Sequence, residues 1–194
     1  MRDEACVVIR GRFHRSVNLI LDQPNHEGLR DYLLTPTTRQ ICKRMLKELD
    51  LNKGSRCWTI TGPYGTGKSA FALFLLDLLT NEDPHHPFSR QITKDNPLEK
   101  PLLPVIIVGE RVSLKRALVD SLILALEKIN PNKSKKMRQK MATPRLTDRK
   151  IAALYEETCK ESHKLNKGGI LLIIDEFGKF LEYAALNEDE DLFV

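Results

Sequence analysis

Gly62-Pro63-Tyr64-Gly65-Thr66-Gly67-Lys68-Ser69 is the stretch on which the reading of this 194-residue chain turns. It fits G-x-x-x-x-G-K-[ST] at every fixed position. Three glycines let the backbone curl until successive N–H groups point inward. The loop then feeds a helix N-terminus, where unpaired N–H groups and the dipole favour negative charge. Such a loop suits a polyphosphate. Backbone from Gly62, Pro63, Tyr64, Gly65, Thr66 and Gly67 through Ala70 would wrap it, Lys68 would reach the outer phosphates as a point charge, and the Ser69 hydroxyl would go to Mg²⁺. A glycine turn that holds no ligand is the plain structural alternative.

A second run completes the pattern about a hundred residues on. Gly168-Gly169 opens Ile170-Leu171-Leu172-Ile173-Ile174-Asp175-Glu176. The aliphatic stretch reads as a buried strand, and a strand there would deliver Asp175 to the carboxyl edge of a sheet, where open α/β sheets bind ligands. Asp175 is expected to hold a water in the metal shell. Glu176 is expected to polarise the attacking water as general base, with Lys68 as its catalytic partner on the phosphates. An acidic pair that only caps the next helix is the alternative for both.

The surrounding chain alternates strand and helix. Val7–Arg10 and Val17–Asp22 read as short strands with a turn at Gly11, so residues 1–34 are expected to form a small N-terminal β flap ahead of a core over 35–194. Thr35-Pro36 is a hydroxyl cap followed by proline at the first helical position, with Ile41, Met45, Leu46 and Leu49 as the apolar face and Asn52-Lys53-Gly54 as the stop. Cys57–Thr61 is the expected strand into the glycine loop, and Ser69 to about Leu79 the helix behind it. Asn81–Pro101 holds four prolines and reads as a long loop, with His85-His86 as surface histidines. Pro104–Gly109 is a second buried strand. Ser113 caps a helix with the stripe Leu114, Ala117, Leu118, Leu122, Ala125 and Ile129, and Thr147 starts another that runs to about Leu165. A last helix follows from Phe177 or Gly178 to Leu186. The order predicts an α/β fold, a parallel sheet with helices on both faces.

Composition narrows the classes. Apolar content of 41% and charged content of 29% fit a globular chain. The longest apolar run, Ala70–Leu76, is far short of the roughly 20 residues that span a bilayer, so no membrane span and a cytoplasmic protein are expected. Four scattered cysteines without a C-x-x-C pair give neither a zinc site nor a disulfide framework. The net charge of +5 is uneven. Basic residues crowd residues 133–150 and could meet nucleic-acid phosphates, although without interleaved aromatics a solvated connector accounts for them as well.

Taken together, Gly-Pro-Tyr-Gly-Thr-Gly-Lys-Ser and Ile-Ile-Asp-Glu-Phe-Gly-Lys-Phe resemble P-loop ATPases of the additional-strand, catalytic-glutamate division, which includes the AAA+ and STAND proteins. The resemblance spans about residues 35–185. More narrowly, the Asp-Glu-Phe-Gly-Lys segment is similar to one in ATPase subunits of bacterial phage-defence systems. The resemblance implies ATP with Mg²⁺ on Lys68, Ser69 and Asp175, with Glu176 on water, and it brings Tyr32–Thr35 near the adenine. It also implies a homo-oligomer or a larger defence-type complex.

Motif and length conflict under that resemblance. The division has strand order 5-1-4-3-2, yet the last strand here ends near Glu176, with no fourth strand, sensor or arginine finger after it. Two outcomes are expected in principle: an N-terminal fragment truncated after the Asp-Glu strand, or direct pairing of the first and third strands. The expected function is ATP binding with Mg-dependent hydrolysis as part of a larger AAA-type ATPase. The alternative is a nucleotide-dependent switch that hydrolyses little. A GTPase is disfavoured because Asn52-Lys53-Gly54-Ser55 and Asn166-Lys167-Gly168-Gly169 lack the aspartate of the guanine motif. A small-molecule kinase is disfavoured because glutamate directly follows the metal aspartate.

Overall fold

A computed structural model describes residues 17–23, 27–29, 32–50, 54–141 and 146–187. Within these the fold is α/β. Two strands, β1 (Leu103–Val108) and β2 (Ile170–Asp175), pair in parallel, with Leu103 opposite Ile170 and Val108 opposite Asp175. The eight α-helices are α1 (Leu19–Asp22), α2 (Pro36–Asp50), α3 (Lys68–Thr80), α4 (Pro87–Asp95), α5 (Leu114–Ile129), α6 (Pro131–Lys140), α7 (Asp148–Lys164) and α8 (Gly178–Leu186). A 3₁₀ turn covers Glu27–Leu29.

Period-two alternation gives the sheet two packed faces. Ile106, Val108, Leu171 and Ile173 pack into the core built around α2 and α3, whereas Val105 and Ile170 belong to the core built by α5, α6 and α7. Helices therefore cover both faces. The α3 sequence is apolar all round, and every residue from Phe71 to Leu79 is buried, as expected of a helix with no solvent side. On the other face, α5 buries Val119, Leu122, Ile123, Ala125 and Leu126, a stripe rotated slightly from the expected one. The Tyr155 hydroxyl of α7 donates to the Leu118 carbonyl at 3.2 Å and ties the two helices.

Capping chemistry sets the helix starts. Thr35 Oγ1 accepts from the Thr38 N–H at 3.2 Å, Ser113 Oγ from Arg116 at 3.4 Å and Thr147 Oγ1 from Lys150 at 3.4 Å. These three starts agree with the sequence reading. The glycine pair before β2 also has a structural reason. Gly169 has φ 137°, and a Cβ on Gly168 would stand 2.9 Å from the Lys100 carbonyl oxygen.

Several expectations need correction. The chain at 19–22 is α1, not a strand, because Asn18 Oδ1 accepts from the Ile20 and Leu21 N–H groups while Asp22 Oδ2 takes the Asn18 N–H at 2.8 Å. The other expected N-terminal strand, Val7–Arg10, and the turn at Gly11 lie outside the described residues. Cys57–Thr61 forms no strand. It is irregular and largely exposed, and no backbone ladder bond reaches it among the described residues. A strand needs a neighbour, and β2 pairs only with β1 here. Direct pairing of the first and third strands is therefore not what the fold does. Trp58, packed beneath the Arg44 guanidinium at 5.0 Å, anchors this segment to α2 instead.

The proline-rich 81–101 stretch contains α4, with Pro87 at its first turn and His86 as its cap. Likewise the basic connector holds α6, capped by Asn130 and again started by a proline. His86 is buried rather than on the surface. Its Nδ1 accepts the Phe88 N–H at 3.3 Å and its Nε2–H donates to the Tyr32 carbonyl at 3.1 Å, so the ring is the neutral Nε2–H tautomer. Beside it Asp77, buried inside α3, accepts from the His85 N–H at 2.8 Å, the His86 N–H at 3.1 Å and Asn81 Nδ2 at 3.1 Å. One carboxylate thus fastens the 81–86 loop to the central helix.

This cluster predicts a pH dependence. Burial lowers the His86 value, outweighing the Tyr32 carbonyl and the Asp77 charge, which raise it. A histidine held neutral contributes stability fully above about pH 6.5, and loses it as pH falls below that toward the folded value. Burial raises the Asp77 value, but the hydrogen bonds outweigh burial and leave it lowered. Its contribution is present above about pH 4 and is lost as pH falls through the folded value. Urea unfolding should show weakening from pH 7 to pH 5 that His86→Gln flattens. Asp77→Ala should cost about 3 kcal/mol at pH 7, because several buried N–H groups lose a charged acceptor.

Candidate functional site

The glycine loop is built by two left-handed residues. Gly65 has φ 79° and Gly67, the N-cap of α3, has φ 84°. A Cβ at either would meet nothing within 4 Å, so it is backbone conformation and not crowding that calls for glycine. Thr66 Oγ1 donates to the Pro63 carbonyl at 2.8 Å and pins the turn. Lys68 reaches back over it, its Nζ 3.0 Å from the Gly62 carbonyl and 2.7 Å from that of Pro63. Tyr64, at the tip, is 96% exposed.

At the start of α3 the donors face outward. Phe71 is the first residue whose N–H bonds within the helix, to the Gly67 carbonyl at 2.9 Å, and no side chain caps the end. The N–H groups of Lys68, Ser69 and Ala70 are therefore the orphan donors of this terminus among the described residues. Beside them stand the Lys68 ammonium and the Ser69 hydroxyl, the latter half-buried in the first turn. The group as a whole is rich in donors and positive charge, with the Ser69 hydroxyl able to accept as well. Donors and positive charge at a helix start favour an anion.

The direction of α3 sets where this terminus lies. Its last turn meets the start of the sheet, since the Leu102 N–H donates to the Leu79 carbonyl at 2.8 Å. The helix also contacts both strands. Thirteen residues at about 1.5 Å and six strand residues at about 3.3 Å cover nearly equal lengths, about 20 Å each. A helix that ran back along the strands over that length would bring the loop toward the end at which β2 finishes in Asp175.

Asp175 is half-buried, and its Oδ1 accepts the Glu176 N–H at 3.0 Å while its carbonyl accepts from Gly109 at 2.8 Å. Glu176 is exposed and takes φ 52°, a left-handed conformation uncommon outside glycine. Its carboxylate pairs with Lys179 one turn on. This ion pair raises the Lys179 value, with Glu182 adding to the rise and Arg111 opposing it. No group of three or more His, Cys, Asp or Glu side chains that could cage a metal occurs among the described residues. A Mg²⁺ of the expected kind asks for no such cage, because it takes one or two protein oxygens with phosphates and waters.

The other chemistry-bearing residues lie away from this end or are already engaged. The 133–150 stretch folds into α6 and the start of α7, with a groove of about 360 Å³ between them lined by Lys133, Lys136 and Lys140 over Met137 and Leu154. Part of its charge is offset: Lys133 pairs with Glu157 and Glu161, and Arg138 with Glu127. Cys42 is buried, and burial pushes its thiol up to about 12. Among the described residues no helix is long and apolar enough to cross a membrane. Comparison with known proteins adds no relative: no protein-family model, no curated protein and no solved structure matches the chain.

Lys179 is the participant that motif reading passed over. The signal was available, because a lysine three residues after a glutamate at the start of a helix faces it. The left-handed turn at Glu176 had no such signal. It predicts an inversion of the usual glycine penalty. Glu176→Gly should raise stability by about 0.5–1 kcal/mol in urea unfolding, whereas Glu176→Ala, which keeps the unfavourable φ, should not.

Proposed function

We propose that this chain binds ATP with Mg²⁺ and serves as the nucleotide-binding part of a larger AAA-type ATPase. The observation that carries the reading is the uncapped start of α3, where orphan N–H groups, Lys68 and Ser69 gather behind two left-handed glycines. In this reading the loop from Gly62 to Ala70 wraps the phosphates. Lys68 leaves the Gly62 and Pro63 carbonyls for a phosphate oxygen, exchanging neutral acceptors for a charged one. Ser69 and Asp175 would hold the ion. The chemistry the ion would supply there is positive charge against the phosphates. Glu176 would orient and deprotonate the attacking water once its carboxylate parts from Lys179. Adenine rather than guanine is favoured because the chain lacks the Asn-Lys-x-Asp motif.

The second reading, a nucleotide-dependent switch with little turnover, draws on a specific observation: Glu176 is held by Lys179. It also draws on the irregular 57–61 segment, which has no sheet partner among the described residues. Both features suit a site finished by further elements, whether a strand beside β2, a second copy in a homo-oligomer or a larger defence-type complex. An arginine supplied by a neighbour is worth roughly 10³–10⁵ in rate where it is used.

Two substitutions test these readings. Lys68→Ala should abolish the rise in melting temperature on adding Mg-ATP; a rise that survives rejects the site. Glu176→Gln should keep that rise but lower phosphate release at least a hundredfold, on the order expected for loss of a general base. Phosphate release that is negligible before the substitution and unchanged by it leaves the switch as the function.

A further inference from the structure

Gly109 directly follows β1, whose last residue, Val108, lies opposite Asp175 at the end of β2, and it is buried there. In a regular ladder the Cβ atoms stand perpendicular to the sheet and neighbouring strands do not collide. Here the left-handed turn at Glu176 folds that residue's peptide across the space beside Gly109. A Cβ on Gly109 would overlap the Glu176 carbonyl oxygen and stand 2.9 Å from its carbon and 3.1 Å from the Glu176 Cβ. Two of the three obstructing atoms are backbone, so no change of rotamer relieves the overlap. The Gly109 N–H, meanwhile, donates to the Asp175 carbonyl at 2.8 Å and fixes the peptide just before the turn.

We infer that Gly109 is a positioning residue: its missing side chain and its N–H together hold Glu176 in the left-handed turn that directs the Glu176 carboxylate. The inference rests on the proposed role of Glu176. Any side chain at 109 forces the 176 peptide to rotate, and rotation about φ swings the Cα–Cβ bond away from its present direction. The phosphate loop belongs to a different segment and has no contact with Gly109 among those closest to it. Binding and turnover should therefore separate in a Gly109 variant.

The test has two arms. Without nucleotide, urea midpoints are compared for the unsubstituted chain, Gly109→Ala, Glu176→Gly and the double variant. Glycine at 176 can rotate clear, so the loss caused by Gly109→Ala should be smaller in the Glu176→Gly background; equal losses in both backgrounds overturn the inference. A single variant that fails to fold beside a double variant that folds is the same result in its extreme form, and failure of both counts against it. With Mg-ATP, Gly109→Ala should change the affinity for a fluorescent ATP analogue less than threefold while kcat drops at least tenfold. Affinity and kcat falling together, or kcat left intact, overturns it. If the unsubstituted chain neither binds nor turns over ATP, the site reading fails by itself, and the unfolding comparison alone then decides whether Gly109 governs Glu176.

Discussion

The burial of α3 on all sides is the constraint from which the rest of the molecule follows. A helix with apolar residues around its whole circumference has to be enclosed, and the sheet, α1, α2 and α4 all contribute to the same core. Enclosure fixes its direction as well as its place. The Leu79–Leu102 hydrogen bond ties its end to the start of β1, and Asp77 ties its last turns to the loop before α4. With the far end held in two ways, the near end has one place to go. The start of α3, and with it the glycine loop, is thus positioned by packing at the other end of the helix.

Asp77 shows how polar chemistry serves that packing. A buried carboxylate is costly unless its oxygens are engaged, and here the N–H groups of a non-repetitive loop supply the engagement. The loop gains the acceptors that it lacks from secondary structure, and the charge gains its solvation. The aromatic group of Tyr32, Phe74, His86 and Phe88 closes over the same point, with ring centroids 5.2 to 6.3 Å apart, so residues just ahead of α2 are joined to the helix behind the loop.

Much of this was legible from sequence, and the parts that were not have physical reasons. Helix starts with a hydroxyl cap, at Thr35, Ser113 and Thr147, could be read because the cap is local. So could the existence of β1 and β2, although only β1 has buried residues; β2 is half-buried, with Leu172 exposed, where its aliphatic run reads as a buried strand. The helices α4 and α6 were hidden for one shared reason: each begins at a proline, in His86-Pro87 and Asn130-Pro131, and a proline among many polar residues looks like a break when it is in fact a first turn. The strand expected at Cys57–Thr61 was a different kind of miss. Its composition suits a strand, but pairing is a property of neighbours that a single segment does not encode. For the candidate site, residue identities were legible, whereas the Lys68 contacts, the φ of Glu176 and the approach of Gly109 were not, because each arises from where two distant segments meet.

The placement of Trp58 gives the chain a built-in optical reporter. It is the only tryptophan among the 194 residues, it lies four residues before Gly62, and its indole rests against a guanidinium on α2. Emission from that one ring depends on its solvent exposure and on the charge stacked over it. Any rearrangement of the glycine loop that tugs on the preceding segment will therefore register as a change in intrinsic fluorescence, with no label attached and no second indole to dilute it.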